Sequence, residues 1–219
     1  MHRLNRKSPL SLLIGALERI AALCVLVALA PLLLMVAIAT AMLSRTSPLI
    51  AHRRLGLGGS PFWVLKFRTM WGVGFSPRGA LAPLHRRFTL VEYIVDESGP
   101  RNKRVRDHRI CSRFARFCRR HSIDELPQLL HVVRGEMSLV GPRPLTGSEW
   151  KRHYHPHAAE VLDVKPGLSG LWQIGGRSRL TYAQRRDLDL ALVRNRSLKL
   201  YFQILLWTLP EIWNGRNAW

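Results

Sequence analysis

The chain has 219 residues, 47% of them hydrophobic, which suffices for one globular domain once an apolar stretch near the N-terminus is set aside. Its 34 Lys and Arg against 14 Asp and Glu give a formal charge of +20, and 28 of the 34 are arginine, the side chain suited to bidentate contact with phosphate oxygens, so the partner is anionic: nucleic acid, acidic lipid headgroups or a phosphorylated small molecule. Cys24, Cys111 and Cys118 have no zinc spacing and form no disulfide framework, which points to a reducing compartment and to small structural hydrophobes.

In chain order, the first feature is the run Ile20 to Leu43, which carries no charge and one hydroxyl, Thr40. It is too long for the apolar region of a signal peptide, although Ala39-Thr40-Ala41 resembles a cleavage site. Basic residues flank it evenly, Arg3, Arg6 and Lys7 before and Arg45, Arg53 and Arg54 after, whereas a spanning helix oriented by its charges has unequal flanks. Pro31 sits near its centre and divides it into arms of roughly 16 to 18 Å, about the depth of the bilayer midplane. The expectation is a re-entrant helix-break-helix; a kinked spanning helix is the alternative.

RRLGLGGSPFWVLKFRTM then reads as a glycine-rich hairpin turn followed by a strand, because Gly56-x-Gly58-Gly59 lacks dinucleotide or P-loop spacing. Residues 72 to 104 mix Gly, Pro and charge without period and read as a mobile surface loop. Asp107 to Arg120 is a basic amphipathic helix with Ile110, Phe114, Phe117 and Cys118 on one face. A second helix carries Leu126, Leu129, Leu130 and Val133 and stops at Gly135, and the prolines of Gly141-Pro142-Arg143-Pro144 hold Arg143 in one place. Residues 164 to 177 are a Gly/Pro-punctuated loop. Residues 198 to 213 are apolar on nearly all sides, which suggests a helix in the headgroup layer with Trp207 and Trp213 as interface residues, or else a core helix.

Two of the 14 acids, Asp124 and Glu125, adjoin each other directly after the arginine-rich helix. Ser122-x-x-Glu125 fits a capping box, yet Pro127 falls more comfortably in the first turn if the helix starts at the acidic pair. Two readings stand: carboxylates that serve the helix dipole, or a nucleophile with a companion acid that holds a divalent metal against phosphate oxygens. Backbone N–H groups and the preceding arginines are expected to lower the pKa of the carboxylate. His153, His155 and His157 in HYHPH read as a solvated basic loop rather than a metal site, and no G-x-S-x-G, Walker A, zinc-finger or RNA-binding aromatic motif occurs.

The segments RRLGLGGSPF, VLKFRTM, DHRI, FCRRHSIDELPQLLHVVRGEMSLVGPRPL and VKPGLSGLWQIGGR together make the chain resemble the bacterial sugar transferases, the monotopic polyprenyl-phosphate phosphoglycosyl transferases. The resemblance implies a helix-rich mixed α/β fold: a basic segment 1–19, a re-entrant membrane hairpin 20–43 broken at Pro31, and a compact cytosolic catalytic domain 44–219 with interfacial amphipathic helices, 198–213 among them. It implies a ping-pong reaction in which Asp124 attacks the β-phosphorus of a UDP-sugar, expels UMP and passes the phosphosugar to undecaprenyl phosphate, with Mg2+ present. Glu125 is the partner in the dyad, and both acids are the implied metal ligands. Lys66, Arg68, Arg119, Arg120, Arg143, Gln173 and Arg177 are the implied phosphate and substrate contacts. The setting would be the cytoplasmic face of the inner membrane, among its phospholipids, with no nucleic acid and with a homodimer left open. The minimal form of the family, with no multi-spanning region expected before the apolar run, is the form the resemblance implies. Ala115, His131, Glu136 and Tyr201 depart from the family's usual glycine, asparagine, aspartate and acid, and none touches the dyad. The contrasting reading is a membrane-tethered binder of nucleic acid or acidic lipid without catalysis.

Overall fold

The computed structural model describes residues 9–71, 90–94, 112–155, 157–176 and 180–214. Its first element, α1 (Pro9–Ser44), is among the described residues the helix long and apolar enough to cross a membrane. The expected division at Pro31 is not seen. The helix is assigned through the proline, and it begins within the stretch expected to be a separate basic leader. A proline removes one N–H from the ladder, and contacts on either side can hold the remaining turns in place. Those contacts exist. Ala22 packs with Leu129, Val132 and Met137, and Val36 packs with Phe67 and Cys118. Glu18, Ala22, Val36 and Thr40 are buried, whereas Leu13, Leu17, Leu23, Val27, Leu34 and Met42 are exposed. One stripe of α1 is therefore covered by the domain, over about 33 Å if the helix is straight.

A three-stranded sheet follows in the order β2-β1-β3. β1 (Leu49–Leu55) and β2 (Pro61–Phe67) are antiparallel with Leu49 opposite Phe67, and β3 (Val91–Ile94) runs parallel to β1. The hairpin turn expected at the glycines is present: Gly58 and Gly59 have φ of 66° and 76°, a region in which a β-carbon is strained. β3 lies inside the stretch read as loop; most of the rest of 72–104 lies outside the described residues.

α2 (Arg113–Arg120) is capped by Ser112, whose hydroxyl accepts the Ala115 N–H at 2.9 Å, and residues 107–111 are not described. Ala115 and Cys118 form its buried face, so Phe117, expected there, is exposed. A 3-10 turn, Ile123–Gln128, leads into α3 (Leu129–Arg134), which ends at Gly135 with φ 77°. Pro127 is accommodated in that opening turn, where its missing donor is not needed. Ser122 does not cap through its side chain; it takes up the left-handed conformation (φ 56°), and its carbonyl accepts the Glu125 N–H.

Part of the 164–177 loop is regular: β4 (Ser138–Val140) pairs in parallel with β5 (Gly167–Ser169). Between them lie α4 (Gly147–Glu149), a π-helical turn (Trp150–Tyr154) and α5 (Ala158–Leu162). HYHPH is thus not a solvated loop at its start, for Tyr154 is buried in a cluster with Leu145, Val161 and Leu190. α6 (Leu171–Ile174) precedes α7 (Tyr182–Arg194), a helix the apolar pattern did not announce, which opens on a Thr181/Gln184 capping box. α8 (Leu198–Asn214) buries Ile204 and leaves Phe202, Leu206, Trp207, Leu209 and Trp213 exposed.

Candidate functional site

The 3-10 turn that carries the acidic pair is held from both sides by clusters that include α1. Ile123 packs in the group around Val36, Phe67 and Cys118, and Leu126 in the group around Ala22, Leu129 and Val132. The turn sits against β2, so side chains near the end of that strand meet it. Lys66 Nζ lies 2.5 Å from Glu125 Oε1 in a half-buried ion pair. His131 fixes the register of this meeting. Its Nε2 accepts the Leu65 N–H at 3.1 Å, and its Nδ1 lies 2.6 Å from Glu136 Oε2, an arrangement that satisfies a neutral imidazole. The two departures His131 and Glu136 are therefore partners.

Asp124 is 7% exposed. Its pKa is not lowered, as the sequence suggested, but pushed up to about 6, because burial and the neighbouring Glu125 outweigh Lys66, Arg119 and the backbone hydrogen bond. A carboxyl with that pKa is still mostly ionised at neutral pH. A backbone hydrogen bond and the preceding Arg119 do lower the pKa, but the cost of burial is larger. Cys118 lies close enough that burial and Asp124 push its thiol up to about 11, consistent with an inert packing residue.

The basic residues divide. Arg119 faces the dyad, with Nη1 3.5 Å from Thr69 Oγ1 and its Nε buried without a partner. Arg120 is exposed. Arg68 is buried and committed to the sheet, donating to the Ser47 carbonyl at 2.8 Å and pairing with Glu92. Arg143 lies 3.8 Å from Glu149, and the field of Glu125 also reaches it. Gln173 is buried, its amide donating to the Leu168 carbonyl at 3.0 Å while its oxygen lacks a partner. Arg177 lies outside the described residues.

Arg143 has a supporting frame that sequence reasoning missed. Asp189 of α7 accepts the Arg143 backbone N–H at 3.4 Å and the Tyr154 hydroxyl at 2.7 Å. Glu149 closes a capping box with Thr146 and pairs with Arg54 at 3.2 Å; although burial pushes it up, these arginines and Thr146 bring it down to about 2. The scarcity of acids was the available signal, since Glu149 is held between Arg54 and Arg143.

Among the described residues no group of three or more His, Cys, Asp and Glu side chains converges as a metal cage. Asp124 and Glu125 alone fit magnesium, which commonly takes one or two carboxylates and completes its shell with water and substrate phosphate.

The model of the bacterial sugar transferase family matches residues 11–215. The exopolysaccharide production protein ExoY of Sinorhizobium fredii is 35% identical over 90% of this chain and 84% of its own length. The UDP-glucose:undecaprenyl-phosphate glucose-1-phosphate transferase of Caulobacter vibrioides is 35% identical over 93% of this chain and 70% of its own. The undecaprenyl-phosphate galactose phosphotransferase of Salmonella typhimurium is 32% identical over 77% of this chain and 34% of its own.

Proposed function

The chain belongs to the bacterial sugar transferase family and is a phosphoglycosyl transferase, and on that premise we propose that it moves a phosphosugar from a UDP-sugar to undecaprenyl phosphate through a covalent Asp124 intermediate. The observation that carries this reading is the setting of Asp124: a buried, largely ionised carboxylate beside Glu125, with Lys66, Arg119 and Arg143 around the pair.

An Asp124 oxygen attacks the β-phosphorus; the new O–P bond forms as the bond to the bridging oxygen breaks, and UMP leaves with that electron pair. A phosphate oxygen of the lipid then displaces the carboxylate, which regenerates Asp124 and yields the lipid diphosphosugar. Arg119 and Arg143 offset the phosphate charge that would otherwise repel a carboxylate nucleophile. Lys66 holds Glu125 in place and limits its repulsion of Asp124. Asp124 and Glu125 would supply the protein ligands of Mg2+, whose chemistry is to neutralise the diphosphate and the departing UMP.

The membrane arrangement we propose is monotopic, at the cytoplasmic face of the bacterial inner membrane, with α1 bent at Pro31 so that both ends stay on one side. The covered stripe of α1 supports it, because a perpendicular helix packed over so much of its length would carry an arginine-rich domain into hydrocarbon. The exposed apolar faces of α1 and α8, with Trp207 and Trp213, suit the phospholipid interface.

Purified membranes supplied with a UDP-sugar panel and undecaprenyl phosphate are expected to release UMP. Asp124→Asn abolishes that release, Glu125→Gln cuts it severely, and mass spectrometry of the acid-quenched enzyme finds a phosphosugar on the Asp124 peptide. Full turnover in Asp124→Asn sinks the reading.

A further inference from the structure

Arg185 lies in α7 and is 5% exposed, yet its guanidinium makes no hydrogen bond or ion pair with any described residue, and its Nε is buried without a partner. Its neighbours are rings: the guanidinium carbon stands 5.7 Å from the Trp172 ring centroid and 5.5 Å from that of Tyr182. Arg143 lies over the same indole, at 5.1 Å. Two guanidiniums thus share one ring face system. The ring quadrupole compensates only part of the charge.

Counting the acids sharpens the imbalance. Arg54, Arg143 and Arg185 are grouped around Glu149, which is ionised and already engaged by Arg54, Arg143 and Thr146. The other carboxyl nearby, Asp189, is pushed up to about 7 by burial and is taken up by the Tyr154 hydroxyl and the Arg143 N–H. Burial and Arg143 push Arg185 down from its usual value, outweighing Tyr182, Glu149 and Tyr154, none of which makes a hydrogen bond or ion pair with it. Burying such a charge is costly, and it is retained where a ligand supplies the opposite charge. Next along α6 from Trp172, the buried Gln173 oxygen and the Trp172 N–H are also unpartnered.

We propose that Arg185, which shares the Trp172 ring with Arg143, is a binding residue for the diphosphate of the nucleotide-sugar donor. This rests on the function proposed above. Arg143 links this cation to the dyad because it senses both Glu149 and Glu125. A diphosphate held by Arg143 and Arg185 would be gripped by two guanidiniums, one of which also feels the field of Glu125. The lipid acceptor, which carries one phosphate, has no need of Arg185.

The test uses the full chain in nanodiscs, with UDP and inorganic pyrophosphate as the calorimetric probes, and compares wild type with Arg185→Met and Arg185→Lys. Arg185→Met is expected to weaken UDP and pyrophosphate binding roughly 10- to 100-fold, the range of a charge-assisted hydrogen-bond pair. It raises the donor KM similarly and leaves the KM for undecaprenyl phosphate unchanged. Arg185→Lys falls between. Because the unliganded protein buries this cation without an ion pair or hydrogen bond to any described residue, Arg185→Met does not lower Tm in the absence of ligand. Undiminished UDP binding in Arg185→Met overturns the assignment, as does weakened binding accompanied by a lower Tm, or failure of both variants to fold; each makes Arg185 a packing residue. If wild type binds neither probe, this inference and the proposed function fall together, whereas wild-type binding with unaffected variants removes this inference alone.

Discussion

The hydroxyl of Tyr201, in α8, donates to Glu18 Oε1 of α1 at 2.7 Å, a contact between residues 183 positions apart. The same carboxylate oxygen accepts the Ser138 hydroxyl at 2.5 Å and the Leu139 N–H at 2.9 Å. One buried carboxylate thereby ties α1, β4 and α8, the two exposed apolar helices and the strand that leads to Arg143.

Glu18→Ala strands those donors at once. It is expected to cost about 2 to 4 kcal/mol, and Tyr201→Phe about 1 to 2 kcal/mol, since hydrogen bonds to charged groups are worth roughly 1.5 to 3 kcal/mol. Denaturant titration in detergent checks both. A larger loss in Tyr201→Phe than in Glu18→Ala contradicts this view of the carboxylate as the hub.

In the mechanism proposed above, the ionisation of Asp124 controls the first half-reaction. A folded pKa raised to about 6 means that donor cleavage falls away as the pH drops through that value, rather than through the ordinary carboxylate range near 4. The residual activity of Glu125→Gln should show its acidic limb at lower pH, because the neighbouring negative charge is gone. Single-turnover UMP release measured from pH 4.5 to 8, taken as a span of roughly 1.5 units below and 2 above the expected midpoint, reads the shift directly. An upward displacement in Glu125→Gln is the contrary result.

His131 positions Lys66 by way of the adjoining Leu65 N–H. His131→Ala leaves that buried donor unsatisfied, at an expected cost of about 1 to 3 kcal/mol, and releases Glu136 as well. His131→Asn, which keeps an acceptor, recovers part of the loss. Thermal unfolding together with UMP release distinguishes the two variants; equal behaviour of Ala and Asn would remove the hydrogen bond from the account.

Gly141 brings the segment bearing Arg143 against the β5 segment at backbone distance. A β-carbon there would meet the Lys165 carbonyl oxygen at 2.6 Å and the Gly167 nitrogen at 2.7 Å, contacts with main chain that cannot rotate away. Gly141→Ala is expected to destabilise the domain by about 2 to 4 kcal/mol and to displace Arg143, lowering kcat as well as stability. A stable, fully active Gly141→Ala protein would show that the two segments separate freely.

Local pattern made several parts of the molecule readable. The turn at Gly58 and Gly59, the stop at Gly135, the helix of residues 198 to 213 and the placement of Pro127 each depend on conformational limits of one or a few residues. Lys66 and Glu125 were named separately as basic contact and acidic partner, but nothing in their spacing shows that they touch. β5 and α7 were missed because their amphipathic signal is short or weak, and their structure comes from pairing with β4 and from a polar capping box.

Composition and motif by themselves determined the candidate parts: an abundance of arginine suited to an anionic partner, an adjoining acid pair near a helix start, and an apolar stretch interrupted by proline. Those properties belong to residue type and near-neighbour spacing, which the chain carries before it folds. Only the tertiary structure decided the electrostatic state of Asp124, the commitment of Arg68 to the sheet, the lodging of Arg185 over Trp172 and the lie of α1 along the domain. Each of these is set by burial and by partners distant in sequence, and desolvation is a property of the packed surroundings rather than of the residue.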